Sequence, residues 1–122
     1  MLSSNFRPYF EIARKHPKLA RKKERLLIRL ARKGDVESKK KIMLHFSGFI
    51  LFRILTTIHG SSLVDKGEDI FQECFIYADF KLPRYKLWFK KEDGTFASYR
   101  FSTYLWKGIT GIMMRHLRKQ KN

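Results

Sequence analysis

The segment from Ile42 to Ile58 limits most strongly how this chain can fold. Wound as an α-helix, its apolar residues cover most of the helix circumference. Such a helix has almost no polar side to turn toward water, so it has to lie among other helices. His45, Gly48 and Arg53 are among the residues that interrupt it, and it falls short of the roughly 20 apolar residues that cross a bilayer. The segment therefore predicts a central buried helix and no membrane span.

Two helices are predicted before this central helix. Asn5 as a cap and Pro8 in the first turn favour a short lead-in helix. Residues 18–33 repeat apolar side chains at amphipathic spacing among many cations, and Gly34 supplies a C-terminal stop. Asp35 is then a natural N-cap for the central helix.

Two more helices are predicted after it. Residues 60–62, Gly-Ser-Ser, break the pattern, and Asp65 can cap a third long helix that carries an apolar stripe. Residues 81–100 are less regular and contain a Lys-Lys-Glu-Asp-Gly run, which predicts a loop or a short hairpin. Ser102 or Thr103 can cap the last helix.

These elements together predict an all-α fold, a compact bundle of about four main helices with a loop or short hairpin near residues 81–100. At 122 residues the chain is long enough for one hydrophobic core and too short for two. We expect a lead-in helix within residues 1–17 and one helical domain over residues 18–122.

The distribution of charge predicts two partners of different chemistry. A net charge of +16 and a pI near 10.3 are expected of a protein that binds a polyanion. Between residues 65 and 79, however, Lys66 is the only cation, so this acidic segment would repel nucleic acid and suits a basic protein partner. An ordinary solvated helix face is the alternative. The carboxylates of the segment are Asp65, Glu68, Asp69, Glu73 and Asp79.

Aromatic and cationic residues interleave over residues 99–107, a pattern typical of surfaces that stack unpaired bases and hold their phosphates. Some of these rings are expected in the core instead. Gly108 and Gly111 are unusual inside a helix, where each costs about 1 kcal/mol relative to alanine. A close helix contact or an approach of DNA would explain them. The cations of residues 21–33 either solubilise the chain or bind phosphates or an acidic protein.

Nothing in the sequence indicates catalysis. There is no nucleophile motif and no phosphate-cradling glycine loop, and the four histidines lack metal-ligand spacing. We therefore expect no enzyme activity, no cofactor and no metal. The lone Cys74 excludes an internal disulfide, and the first residues lack the apolar run of a secretory signal, so we expect a reducing cytoplasm.

Two motifs, one after the other in the chain, resemble motifs of region 2 of bacterial sigma factors. Residues 69–73, Asp-Ile-Phe-Gln-Glu, followed by Phe75-Ile76, are similar to the family's Asp-Leu-x-Gln-Glu core-binding motif. Residues 100–104, Arg-Phe-Ser-Thr-Tyr, are similar to its promoter-melting string. Residues 27–35 also resemble the family's opening helix pair, so the resemblance spans about residues 24–119.

The resemblance implies a minimal sigma-like initiation subunit, of the phage-type or split kind, that binds core RNA polymerase and the melted minus-ten promoter element. It implies a nucleoid-associated protein, encoded by a bacterium or by a phage acting in one. The coiled coil of the polymerase β′ subunit would bind Asp65, Glu68, Asp69, Gln72, Glu73 and Ile76. The non-template strand would lie on Tyr99, Phe101, Tyr104 and Trp106, near Thr103 and Thr110, with phosphates held by Arg100, Lys107, Arg115, Arg118 and Lys119.

The sequence departs from the family's pattern in the last helix and in length. Lys107 and Gly108 stand where primary sigma factors place a tryptophan pair, and Gly111 and Met114 stand near the positions of the residues that read the minus-ten sequence. We therefore expect a changed or relaxed promoter preference. The chain ends at Asn122, before any domain for the minus-thirty-five element, which leaves room for a second protein that supplies minus-thirty-five or clamp contacts.

Two other functions are compatible with the same residues. One is a general single-stranded nucleic-acid-binding protein whose acidic segment is merely solvated. The other is a sigma-like regulator that occupies polymerase and blocks normal initiation.

Overall fold

Over residues 7–120, five α-helices, a 3₁₀ turn and one small hairpin make up the fold, which confirms the all-α prediction. The computed structural model of the protein describes residues 7–120. The central helix α3 contacts all four of the other helices. In chain order the elements are α1 (Arg7–Lys15), α2 (Arg21–Arg32), α3 (Val36–Thr57), α4 (Gly60–Lys81), a short 3₁₀ turn (Leu82–Arg84), β1 (Phe89–Lys90), β2 (Phe96–Ala97) and α5 (Phe101–Gln120).

Helix α3 begins and packs as its sequence predicts. The Asp35 carboxylate accepts a hydrogen bond from the Glu37 backbone N–H at 3.2 Å and another from the Ser38 hydroxyl at 2.7 Å. Asp35 is therefore the N-cap of α3, as predicted. Ile50 and Ile54 are completely buried at the middle of the bundle. In the part of the chain that the structure describes, no helix is both long and apolar enough to cross a membrane.

The predicted starts of α4 and α5 are wrong by several residues. Helix α4 already begins at Gly60, whose φ of +63° lets the backbone turn sharply after α3, and Asp65 lies inside the helix rather than at its cap. Helix α5 begins at Phe101, before both predicted caps, Ser102 and Thr103. Its first N–H instead lies 3.4 Å from a carboxylate oxygen of Glu24 on α2. The cap predicted at Asn5 falls outside the described residues.

Residues 85–98 form a short hairpin, which is one of the two alternatives that the sequence predicted near residues 81–100. The two strands are antiparallel, with Phe89 opposite Ala97 and Lys90 opposite Phe96. The Asp93 carboxylate closes the turn by accepting hydrogen bonds from the Thr95 backbone and hydroxyl at 3.0 and 2.6 Å. Gly94 completes the reversal at a φ of +89°.

The two unusual glycines of α5 have different surroundings. A Cβ at Gly108 would collide with the ring and hydroxyl of Tyr77 on α4, so Gly108 marks a close contact between helices. A Cβ at Gly111 would meet nothing within 4 Å. The close-contact explanation therefore holds for Gly108 alone.

Candidate functional site

One side of α4 carries the predicted polymerase-binding residues. Ile70, Phe71 and Cys74 turn toward the core, whereas Asp69 and Gln72 are exposed on the other side. Ile76 is on the exposed side as well, with 68% of its surface accessible. We call this the acidic face of α4, and its residues are Asp65, Glu68, Asp69, Gln72, Glu73 and Ile76.

Three residues of the acidic face are already engaged within the protein. Tyr9 of α1 donates a hydrogen bond to Glu68 at 3.3 Å and accepts one from Gln72 at 3.4 Å. The Glu73 carboxylate pairs with the Arg115 guanidinium of α5 and lies 2.6 Å from His116 Nε2. Asp65 and Asp69 are exposed and, within residues 7–118, neither forms an ion pair. The most open part of the face is therefore Asp65, Asp69 and Ile76.

The predicted DNA-binding residues are divided between core and surface. Phe101 is completely buried, so the prediction that it stacks on a base is wrong for this fold. Arg100 forms an ion pair with Glu24 at 2.9 Å and donates to the Leu19 carbonyl at 2.5 Å. Its side chain is only 20% exposed, so it joins α5 to α2 rather than presenting a charge to phosphates. Arg115 is likewise paired, with Glu73.

Tyr99 and Tyr104 are half-buried members of an aromatic cluster at the start of α5. Their ring centroids lie 6.2 Å apart, and both pack on Tyr85, at 5.9 and 5.4 Å. The Tyr85 hydroxyl donates a hydrogen bond to the Tyr99 carbonyl. Packing on the buried Tyr85 fixes both rings, and each keeps part of its surface accessible.

The outer face of α5 keeps the remaining predicted DNA contacts. Thr103, Lys107 and Arg118 are exposed along one side of the helix, and Trp106 is 50% exposed beside them. Thr110 is half-buried and its hydroxyl donates to the Trp106 carbonyl at 3.0 Å. The side chain of Lys119 lies outside the described residues. We call this surface, Thr103, Trp106, Lys107, Thr110 and Arg118, the outer face of α5.

Arg53 positions this surface, and the sequence analysis gave it no role. Although it is only 5% exposed, its guanidinium lies 3.6 Å from the centroid of the Trp106 ring. It donates to the Trp106 carbonyl at 3.2 Å and to the Thr110 hydroxyl at 2.6 Å. Loss of hydration lowers the pKa of Arg53. The available signal was the one Lys or Arg within the apolar segment of residues 42–58.

Glu24 is the second functional residue that sequence reasoning missed. It is 8% exposed, pairs with Arg100 and faces the Phe101 N–H. It therefore holds the start of α5, where the aromatic cluster begins. The signal was a single acid in the otherwise cationic α2.

A cluster of metal ligands and the thiol of Cys74 are two possible kinds of reactive group within the described residues. Among the described residues, no group of three His, Cys, Asp or Glu side chains could hold a metal ion. Cys74 is fully buried, and burial raises the pKa of its thiol to about 12, which disfavours the nucleophilic thiolate.

Comparisons with protein-family models, with curated proteins and with solved structures found no match to this chain.

Proposed function

We propose that this protein is a sigma-like transcription initiation subunit. It binds core RNA polymerase through the acidic face of α4 and holds the melted minus-ten strand against the outer face of α5 and the aromatic cluster. It acts as a binding module and catalyses no reaction. One observation carries the proposal: Ile76, 68% exposed, lies in line with the exposed Asp69 on a helix whose opposite side is core.

An exposed isoleucine among carboxylates favours a protein partner for α4. Solvation alone would explain the acids but gains nothing from an exposed apolar side chain on the same side of the helix. Charge attracts a basic partner and the isoleucine gives it apolar area to bury, a combination typical of protein interfaces. A basic coiled coil, such as the β′ subunit presents to sigma factors, has the charge opposite to that of this surface.

The α5 surface supports capture of an opened DNA strand. Trp106 offers a ring face held by Arg53, and Lys107 and Arg118 can neutralise phosphates along the same side. Tyr99 and Tyr104 extend the ring surface toward the start of the helix. Paired bases do not expose their faces to such rings, so the surface favours melted over duplex DNA.

Co-purification with bacterial core RNA polymerase tests the docking half of the proposal. Changing Asp69, Gln72 and Glu73 to alanine should abolish retention of the protein on immobilised core enzyme. A matched control, Glu37→Ala with Glu92→Ala, also removes two exposed carboxylates and should leave retention unchanged. If the triple variant is still retained, the docking assignment is wrong.

Glu73 needs a separate control because it also pairs with Arg115 and His116. The variant Asp69→Ala/Gln72→Ala/Ile76→Ala leaves those contacts intact and should lose retention as well. If this variant is retained and retention is lost only when Glu73 is changed, the loss comes from breaking the contact between α4 and α5. The acidic face would then not be the docking surface.

A further inference from the structure

The hairpin of residues 85–98 carries aromatic rings that neither proposed face uses. Phe96 is 69% exposed and Trp88 is 49% exposed, on an element whose strands are two residues long. Large rings rarely stay in water without a function when they are grouped. Both rings lie on this one hairpin, and Lys86, Lys90 and Lys91 of the same hairpin are exposed.

The two sides of the hairpin have different roles. Phe89 packs on Tyr99 at 5.0 Å between ring centroids, which fixes the hairpin to the aromatic cluster. Lys90 and Phe96 are cross-strand partners, so their side chains share one side of the ribbon. The hairpin is thus anchored through Phe89, while Phe96 stays in solvent beside a lysine.

Helix α2 fixes the orientation of Trp88. The Arg25 guanidinium lies 4.7 Å from the Trp88 ring centroid and donates to the Ser98 hydroxyl at 2.6 Å. Arg21 donates to the same hydroxyl at 3.0 Å. These contacts join Trp88 and the end of the hairpin to the side of α2 that carries Arg21 and Arg25.

The charge of this surface is strongly positive. On the side of α2 that carries Arg25 the exposed cations are Arg21, Lys22, Arg29 and Arg32, and on the hairpin Lys86, Lys90 and Lys91 are exposed. The carboxylates of the hairpin itself are Glu92 and Asp93 at the turn, and Asp93 already accepts hydrogen bonds from Thr95. Hydrogen bonds from Thr95 lower the pKa of Asp93, as expected for a carboxylate that closes a turn.

We propose that Trp88, Phe96 and the cationic side of α2 form a second nucleic-acid surface, which binds an unpaired DNA strand. Exposed bases can stack on the two rings while the lysines and arginines hold phosphates. The phosphates of a duplex could bind the cations, but its paired bases could not stack on the rings. Phe89 fixes the hairpin beside Tyr99 of the proposed minus-ten site, and the assignment of the second surface to DNA rather than RNA rests on the proposed function.

Fluorescence titration without polymerase tests this surface directly. In a Trp106→Phe background Trp88 is the only tryptophan, so quenching by a 12-residue oligo(dT) reports contact at the hairpin. We expect quenching, and we expect Trp88→Ala or Phe96→Ala to weaken binding of labelled oligo(dT) about fivefold to a hundredfold. Lys90→Glu should weaken binding and reduce its salt dependence.

Phe80→Ala is the matched control. Phe80 is 56% exposed and lies under Arg84 at 4.0 Å, much as Trp88 lies under Arg25, but it belongs to α4. The affinity of the Phe80→Ala variant for oligo(dT) should equal that of the unchanged protein. Circular dichroism and thermal unfolding of each variant separate lost binding from lost folding.

Several results would overturn the proposal. They are unchanged affinity in folded Trp88→Ala and Phe96→Ala variants, tighter binding of oligo(U) than of oligo(dT), and Trp88 quenching by anionic vesicles but not by the oligonucleotide. Failure of polymerase docking is a distinct result. Asp69→Ala/Gln72→Ala/Ile76→Ala should lose polymerase and keep oligonucleotide binding.

Discussion

The ring of Tyr77 on α4 fills the space beside Gly108 on α5, so the two helices meet where α5 has no side chain. A Cβ at position 108 would lie well inside 3.0 Å of that ring, a distance that real Cβ atoms essentially never show. The acidic face of α4 and the outer face of α5 are therefore carried by helices whose spacing Gly108 sets.

Alanine substitutions at the two glycines of α5 should have opposite effects. Gly111→Ala should raise the free energy of unfolding by about 1 kcal/mol, because position 111 is open and alanine favours the helix. Gly108→Ala should lower it by about 1 kcal/mol, because overpacking of about 2 kcal/mol outweighs the same helix gain. Urea denaturation measures both changes.

Tyr77→Ala supplies the control for this contact. In that background Gly108→Ala should become stabilising, like Gly111→Ala, since the obstructing ring is gone. A destabilising Gly108→Ala in the absence of Tyr77 would show that the ring is not the cause.

Glu24→Gln should destabilise the protein by about 3 kcal/mol. The change removes a partner from a largely buried ion pair, whose side chains are 11% and 20% exposed, and weakens the acceptor for the Phe101 N–H. Urea denaturation of Glu24→Gln, Arg100→Gln and the double variant gives the coupling free energy between the two side chains. Strictly additive losses would contradict a direct interaction between Glu24 and Arg100.

Stability should fall in alkaline solution through Cys74 and Tyr85. Burial raises the pKa of Cys74 from 9.0 to about 12 and that of Tyr85 from 10.0 to about 12. Because the folded state holds both protons more tightly, their contribution is complete below pH 9 and is lost as the pH rises to about 12. Each group adds a slope of up to about 1.4 kcal/mol per pH unit in that range.

Denaturation midpoints between pH 8 and pH 12 measure this loss. Cys74→Ala and Tyr85→Phe should each flatten the decline, and the double variant should flatten it further. An unchanged slope in the double variant would place the alkaline sensitivity elsewhere.

Trp106 and Phe101 should respond differently to alanine substitution, although both belong to the interleaved aromatic and cationic segment of residues 99–107. Trp106→Ala should leave the fold intact and weaken capture of a melted minus-ten strand by the polymerase complex about fivefold to a hundredfold. Phe101→Ala should instead cost about 3–5 kcal/mol of stability, since the ring is fully buried. Thermal unfolding and strand-competition assays separate the two effects. Equal effects on stability would contradict the assignment of Trp106 to the surface.

Local patterns were sufficient to predict the helices and the sides of α4. The Asp35 cap and the nearly all-apolar circumference of α3 depend only on nearby residues, and both are present. The same spacing put Ile70 and Cys74 in the core and Asp69 on the surface.

Contacts between distant residues could not be predicted from local patterns. Glu24 holds the start of α5 from 77 positions away, which moved that start to Phe101 and took Arg100 out of the phosphate-binding set. Arg115 was likewise predicted to hold a phosphate, but in the fold it pairs with Glu73 of α4. Opposite charges far apart in a basic chain give no signal of their pairing.

Run-off transcription from a template with a preformed bubble tests the central claim most directly. With bacterial core RNA polymerase, addition of this protein should produce transcripts above the level of core enzyme alone, and Asp69→Ala/Gln72→Ala/Ile76→Ala should return them to that level. No increase by the unchanged protein, or suppression of transcripts that core enzyme makes with its own sigma factor, would contradict a role in initiation.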